Sequence, residues 1–213
     1  MGSAEFLFLL AGLKWTLFLV AIAFAGGTVA GLGVALARTS GIGVLQRTTA
    51  GYIALFQGTP LLMQLFVVYY GLALIGLKLD AWAAVAVGFT LHASAFLGEI
   101  WRGSIEAVPW GQIEAARALN LRYATRMRHV ILPQALRISM PATIGFLVQL
   151  LKGTSLAAIV GFTELARAGS IVSNQIFQPL LVFAVVGALY FALCWPLSIL
   201  GSRMERRLAA ATR

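Results

Sequence analysis

Apolar residues in this chain come in long unbroken blocks rather than in the one-sided periodic patterns of a soluble domain. Leu17 to Ala37 and Leu180 to Leu200 each run for 21 residues without an acidic or basic side chain, and a bilayer core of ~30 Å demands blocks of that length. The charges that separate the blocks divide the chain into five candidate spans, at about 12–37, 48–77, 81–107, 134–162 and 178–201. The fold class this implies is an all-α integral membrane protein, with 1–213 forming a single transmembrane domain. The first block lacks a basic n-region and a cleavage site close behind it, so it reads as a retained helix rather than a signal peptide. Phe6 stands where a myristoylation signal needs Ser or Thr.

One stretch breaks the pattern. After Pro109 and Gly111 end the third span, Gln112 to Met127 is rich in Ala, Leu, Glu and Arg, all good helix formers. Ile113, Ala116 and Leu119 to Leu121 make a narrow apolar strip among Arg117, Arg122 and Arg126. The pattern predicts an amphipathic helix over about 112–127, lying at the membrane surface. Two roles stay open on composition: binding anionic lipid through the arginines, or docking a cytoplasmic partner. Pro133 then restarts the chain into the fourth span.

Composition and charge sharpen this. The chain is 60% hydrophobic and 11% charged, with a formal net charge of +9. In a soluble protein that charge would suggest nucleic acid, but its distribution points elsewhere. With five spans, Arg38, Arg47, Arg102, Arg117, Arg122, Arg126, Arg128, Arg137, Arg203, Arg206, Arg207 and Arg213 share one side, and only Lys14, Lys78 and Arg167 face the other. Positive loops stay in the cytoplasm, so the N-terminus is expected outside, the C-terminus in the cytoplasm, and no nucleic acid as partner. Cys194 is the one cysteine, and His92 and His129 the two histidines, too few for a disulfide framework or a metal centre. No phosphate-binding loop of the form G-x-x-x-x-G-K-[ST] is present. Gly26, Gly27, Gly31 and Gly33 lie inside an apolar span, where the small-xxx-small pair Gly27 and Gly31 reads as helix packing.

Several motifs carry a family resemblance. Glu114-Ala115-Ala116, with Asn120 where a glycine is usual and Val130 to Pro133 reading V-I-L-P, resembles the EAA loop of permease subunits in binding-protein-dependent ABC importers. Phe56-Gln57-Gly58-Thr59-Pro60-Leu61 through Gln64-Leu65, then Tyr69-Tyr70-Gly71, is similar to the F-R-G-T-P-L-x-x-Q-L…Y-Y-G stretch of the polar amino acid permeases, with Gln57 in place of arginine. Glu99 to Gly103 resembles their E-x-x-R-G and Leu132 to Arg137 their L-P-Q-A-x-R. Leu151 to Leu156 resembles their L-K-D-T-S-L, with Gly153 replacing the acid.

The resemblance implies a type I importer-like permease of the histidine, glutamine, arginine and glutamate uptake type, in a bacterial inner membrane. It would carry no catalytic residue, metal or cofactor of its own. ATP and Mg would bind a separate ATPase dimer, which the helix bearing Glu114, Ala115, Ala116, Arg117 and Asn120 would dock. The further partners implied are a second permease subunit, identical or paralogous, a periplasmic binding protein, the amino acid substrate and membrane lipid.

Polar residues inside spans are costly and point to function. Counting ~1.5 Å per residue from the assumed cytoplasmic ends puts Gln64 at about 24 Å and His92 and Lys152 at about 22 Å, with Thr59 and Gln149 at about 16–18 Å. The expected substrate site is therefore Thr59, Gln64, His92, Gln149 and Lys152, with Lys152 facing a carboxylate. Gly58 and Pro60 interrupt the second span and free carbonyls that suit a cavity wall. Glu99, about 12 Å in by the same rise, is expected to join Arg102 in a structural or gating network. A self-contained secondary transporter of a small polar solute is the alternative, although no inverted repeat or coupling-ion site stands out.

Overall fold

The structure is a computed structural model that describes residues 1–211. Arg213, counted above on the basic side, lies outside the described residues. The described chain is helical, with no strand in it. Four helices are long and apolar enough to cross a membrane: α1, Ser3–Arg38; α4, Ala81–Glu106; α6, Tyr123–Val160; and α8, Pro179–Ala211. Between α1 and α4 lie α2, Gly43–Gln57, and α3, Leu61–Leu74. Two shorter helices complete the set: α5, Trp110–Ala118, and α7, Leu165–Ile176.

The region expected as a span over 48–77, interrupted at Gly58 and Pro60, is a pair of helices bent by 105° between α2 and α3. Gly58 and Pro60 cause the bend. A Cβ at position 58 would lie 2.7 Å from the Ala54 carbonyl oxygen, so only glycine fits this turn. Pro60 has no N–H to continue the ladder and adopts an extended conformation, φ −62° and ψ 137°, as the N-cap of α3.

The core forms where α1, α4 and α6 meet, with Leu19, Phe89, Ala93, Leu97 and Leu150 among its buried residues. Close approach of α1 and α4 rests on small residues. At Gly27 a Cβ would fall 2.4 Å from the Ala93 Cβ, so any side chain there would push the helices apart. Glycine gives up little in lipid, because helix association there is driven by packing rather than by water. At 36 residues, α1 is about 54 Å long, well beyond the ~30 Å apolar core it has to cross.

The helix expected over about 112–127 is shorter than the pattern suggested. α5 ends at Ala118, and Asn120 takes a left-handed conformation at φ 56°. Leu121 N–H bonds the Ala116 carbonyl at 3.1 Å and Asn120 N–H the Arg117 carbonyl at 2.8 Å, a Schellman closure. Asparagine tolerates this conformation better than other residues with a side chain, so a local turn overrides the helix-forming composition on either side. After it, α6 begins at Tyr123, passes a π-helical turn at Met127–Ile131, and ends in a 3-10 segment at Thr154–Val160.

Candidate functional site: a polar cavity beside the broken helix

The break between α2 and α3 creates the site. Proline at 60 has no N–H for the Phe56 carbonyl, which a continuous helix would have bonded, and the Thr59 carbonyl is also left over. Gln64 supplies both. Its Nε2 lies 2.7 Å from Phe56 O, 3.0 Å from Thr59 O and 3.0 Å from Thr59 Oγ1. With the amide nitrogen held by three acceptors, Oε1 points the other way and accepts from His92 Nδ1 at 2.9 Å. An amide oxygen only accepts, so this contact fixes the proton of a neutral His92 on Nδ1 and leaves Nε2 as an acceptor.

A cavity of about 310 Å³ opens next to this chain of bonds, lined by Thr59, Leu61, His92, Phe96, Gln149 and Gly153 among others. Its polar groups are the Thr59 hydroxyl, the His92 ring and the Gln149 amide, and no charged side chain lines it among the described residues. The His92 ring lies 4.4 Å from that of Phe96, and Phe96 stacks on Phe146 at 5.5 Å. The histidine is thus held on one edge by a hydrogen bond and on its face by aromatic packing.

Of the five residues expected at the substrate site, Thr59, His92 and Gln149 line this cavity. Gln64 is buried behind them and positions two of the three. Lys152 does not line the cavity. It is exposed on α6, within electrostatic range of the Cys194 thiol on α8. Rise along a helix fixes depth but not direction. Gln149 and Gly153, four residues apart, share the cavity face, and Lys152 lies one 100° step away from Gly153. The depth assigned to Gln64 also assumed a straight second span, which the 105° bend removes.

Glu99 and Arg102 pair within α4, at 2.8 Å and 2.6 Å, and Arg102 also reaches Glu106. This network therefore ties α4 to itself rather than to a neighbouring helix. On α5, Glu114, Ala115 and Arg117 are exposed, as is Asn120 just past its end, whereas Ala116 is buried and Ile113 packs against a cluster that includes Ile105, Met127 and Ile131. Glu114 sits in the second turn of α5. Its carboxylate accepts from Trp110 Nε1 at 2.8 Å, and Arg117 lies over the Trp110 ring at 5.3 Å instead of pairing with Glu114. Trp110 thus organises the exposed face of α5.

Sequence reasoning passed over three groups. Phe146 closes the aromatic stack, and the Tyr52 hydroxyl ties α2 to α4 through Leu91 O at 2.9 Å and Ser94 Oγ at 2.5 Å. Glu164 is fully buried. Its carboxylate accepts from Tyr190 OH at 2.7 Å, from Ala166 N and Arg167 N at 2.9 Å and 2.8 Å, and from Thr16 Oγ1 at 3.4 Å. It fastens α1, α7 and α8 together. An acid within an apolar stretch is itself a signal, and Glu164 carries one.

A bundle of long apolar helices, a helix broken beside a polar cavity and an exposed surface helix define a polytopic membrane protein built for passage of a solute. Comparison with known proteins gives the family. The chain matches the family described as binding-protein-dependent transport system inner membrane component over residues 27–210, and it belongs to that family, among the permease subunits of polar amino acid ABC importers. It is 34% identical over 205 residues to the probable amino-acid ABC transporter permease protein YckA of Bacillus subtilis (strain 168), covering 96% of this chain and 91% of that protein. The glutamine transport system permease protein GlnP of Escherichia coli (strain K12) is 33% identical over 202 residues, with 94% and 92% covered.

Among solved structures, a crystal structure of an amino acid ABC transporter with histidines superposes with a TM-score of 0.87 at 34% identity, covering 94% of each chain. The inward-facing MetNI methionine ABC transporter shares the fold, with a TM-score of 0.80 at 23% identity over 97% of this chain and 99% of that one. The fold is that of type I ABC importer permeases. Subunits of this family are non-catalytic, and ATP hydrolysis belongs to a separate polypeptide.

Proposed function

We propose that this chain forms half of the membrane path of an ATP-driven amino acid importer, and that the cavity beside the broken helix receives the substrate. The observation that carries this reading is three polar groups set in an otherwise apolar lining: a hydroxyl, an imidazole nitrogen fixed as an acceptor and an amide, all in one cavity of about 310 Å³. The His92 Nε2 acceptor suits an α-ammonium group, the Gln149 amide supplies a donor for the carboxylate, and the Thr59 hydroxyl, whose proton goes to the Leu55 carbonyl at 2.7 Å, offers its remaining lone pair as an acceptor. Because no carboxylate lines the cavity and Gly153 stands where the resembling permeases carry an aspartate, a neutral polar side chain fits better than a cationic one. Lys152, outside this cavity, is assigned to the surface between two permease subunits.

In this reading 1–213 is one transmembrane unit of five spans, the bent pair α2 and α3 counting as one. Its N-terminus is periplasmic and its C-terminus cytoplasmic, as the basic residues require. α5 is the coupling helix. Ile113 anchors it to the bundle, and Glu114, Ala115, Arg117 and Asn120 face a cleft of the ATPase, which holds ATP and Mg. Glu99 and Arg102 stiffen the cytoplasmic end of α4 and act as a gate between subunits. A second permease copy or paralogue completes the path, and a periplasmic binding protein delivers the amino acid. The chain itself binds no cofactor and no metal.

The test is thiol accessibility in proteoliposomes containing the permease, its ATPase and the binding protein, in a Cys194→Ser background. Thr59→Cys and Gln149→Cys react with a hydrophilic thiol reagent in at least one nucleotide state, and glutamine protects them. Val29→Cys, on the exposed face of α1, stays inert. Inert cavity positions in every state, or labelling that no amino acid slows, would overturn the assignment.

A further inference from the structure

A second cavity lies at the arginine-rich end of the bundle, between α1, α4 and α6, with a volume of about 500 Å³. Its wall is apolar, built from Leu32 of α1, Trp101 and Ile105 of α4, and Leu132 and Leu136 of α6. Pro133 adds no N–H to this wall. Arg128 stands at one end and Ser139 at the other. Eleven residues of α6 separate them, roughly 16 Å at 1.5 Å per residue, or about half of a ~30 Å hydrocarbon core. The groove is therefore about as long as one leaflet is thick.

Arg128 is exposed, and no hydrogen bond or ion pair engages its guanidinium among the described residues. Its neighbours are otherwise engaged: Arg102 by Glu99 and Glu106, and Arg126 by the Tyr123 ring at 5.7 Å. A helix of another subunit would need an acid opposite Arg128. The acids of α4 and α5 at this end, Glu99, Glu106 and Glu114, are already held within their own helices. A free cation at the end of an apolar groove of that length matches a molecule with a negative head and a hydrocarbon tail.

We infer that this groove is a binding site for an anionic phospholipid of the cytoplasmic leaflet, one acyl chain lying along α6 and the phosphate on Arg128. The leaflet assignment rests on the orientation proposed above; the site itself does not. Occupied by a chain, the groove wedges α1 against α6, so the lipid acts as part of the packing at the end of the bundle that bears α5.

Trp101 lies in the wall and reports occupancy directly. The permease with its ATPase is reconstituted in phosphatidylcholine vesicles containing either brominated phosphatidylglycerol or brominated phosphatidylcholine. The brominated anionic lipid is expected to quench tryptophan emission at about five-fold lower mole fraction, the preference one arginine near a membrane surface gives. Arg128→Ala should bring the two lipids within two-fold of each other, and Trp101→Phe should remove the preferential part of the quenching. Equal quenching by both lipids in the unmodified protein, a preference that survives Arg128→Ala, or an unchanged signal in Trp101→Phe would each overturn the site. Arg128→Cys, in a Cys194→Ser background, tests orientation separately with an impermeant thiol reagent on right-side-out vesicles. Labelling from outside moves the lipid to the other leaflet and refutes the orientation without touching the quenching result.

Discussion

Gln64 is the residue on which the cavity geometry depends, and Gln64→Leu isolates it. Leucine keeps the volume roughly and removes every hydrogen bond. The Phe56 carbonyl then has no donor, because Pro60 cannot supply one, and His92 Nδ1–H loses its acceptor. Thr59 is exposed, so water replaces that partner. Two orphaned groups at about 1–3 kcal/mol each give roughly 2–6 kcal/mol, offset by about 1–2 kcal/mol for the buried leucine side chain. The net cost, about 2.5 kcal/mol at the middle of these ranges, falls on the bend and on the His92 tautomer. At 1.4 kcal/mol per factor of ten, ATP-driven amino acid uptake in proteoliposomes should drop by about ten-fold or more, with the thermal midpoint of the detergent-solubilised protein lowered. Because Gln64 and His92 act as one unit, the double variant Gln64→Leu with His92→Phe should cost little more than the worse single variant. Unchanged uptake in Gln64→Leu, or additive losses in the double variant, would refute this account of the site.

Glu114→Lys should leave membrane insertion intact and abolish capture of the ATPase in a pull-down, since it reverses charge on the exposed face of α5 and breaks the Trp110 contact; undiminished capture and transport would remove the docking role. Asn120→Val should lower ATPase coupling and cost about 1–2 kcal/mol because a β-branched residue resists φ 56°, whereas Asn120→Gly should be near neutral by the same thermal and ATPase assays. Gly27→Val should destabilise the α1 and α4 contact by about 1–3 kcal/mol, measured as the thermal midpoint in detergent, and Ala93→Gly should restore part of the loss by vacating the space that the new side chain needs. Lys152→Ala should leave the KM for uptake within about three-fold, since Lys152 lies outside the cavity, while His92→Ala should raise it by ten-fold or more, the ratio of about 1.4 kcal/mol per decade.

What could be read along the chain was whatever depends on one-dimensional pattern. Blocks as long as Leu180 to Leu200 admit only membrane helices, because lipid offers backbone groups no partner outside a helix. Gly58 and Pro60 announced a break for the same local reason, and the motifs around Glu114 and Thr59 carried the family. Asn120 stands where a glycine is usual, yet the composition on both sides favours a helix through it, and only the closed Schellman bonds reveal that the turn prevails.

Direction, in contrast, was decided by tertiary structure alone. Rise per residue gave Lys152 and His92 the same depth, but the rotation of α6 against α4 put Gln149 on the cavity and Lys152 off it. Gln64 looked like a lining residue because a polar side chain in a span must meet a partner. The structure gives it partners in the carbonyls that Pro60 leaves unbonded, eight and five residues back along its own chain, so that it holds the wall rather than forming it. Buried Glu164 and the groove beneath Arg128 exist only where three helices converge, and no local pattern encodes a convergence. The sequence determined that these helices sit in a membrane and where they break; their packing determined which polar atoms face a common space.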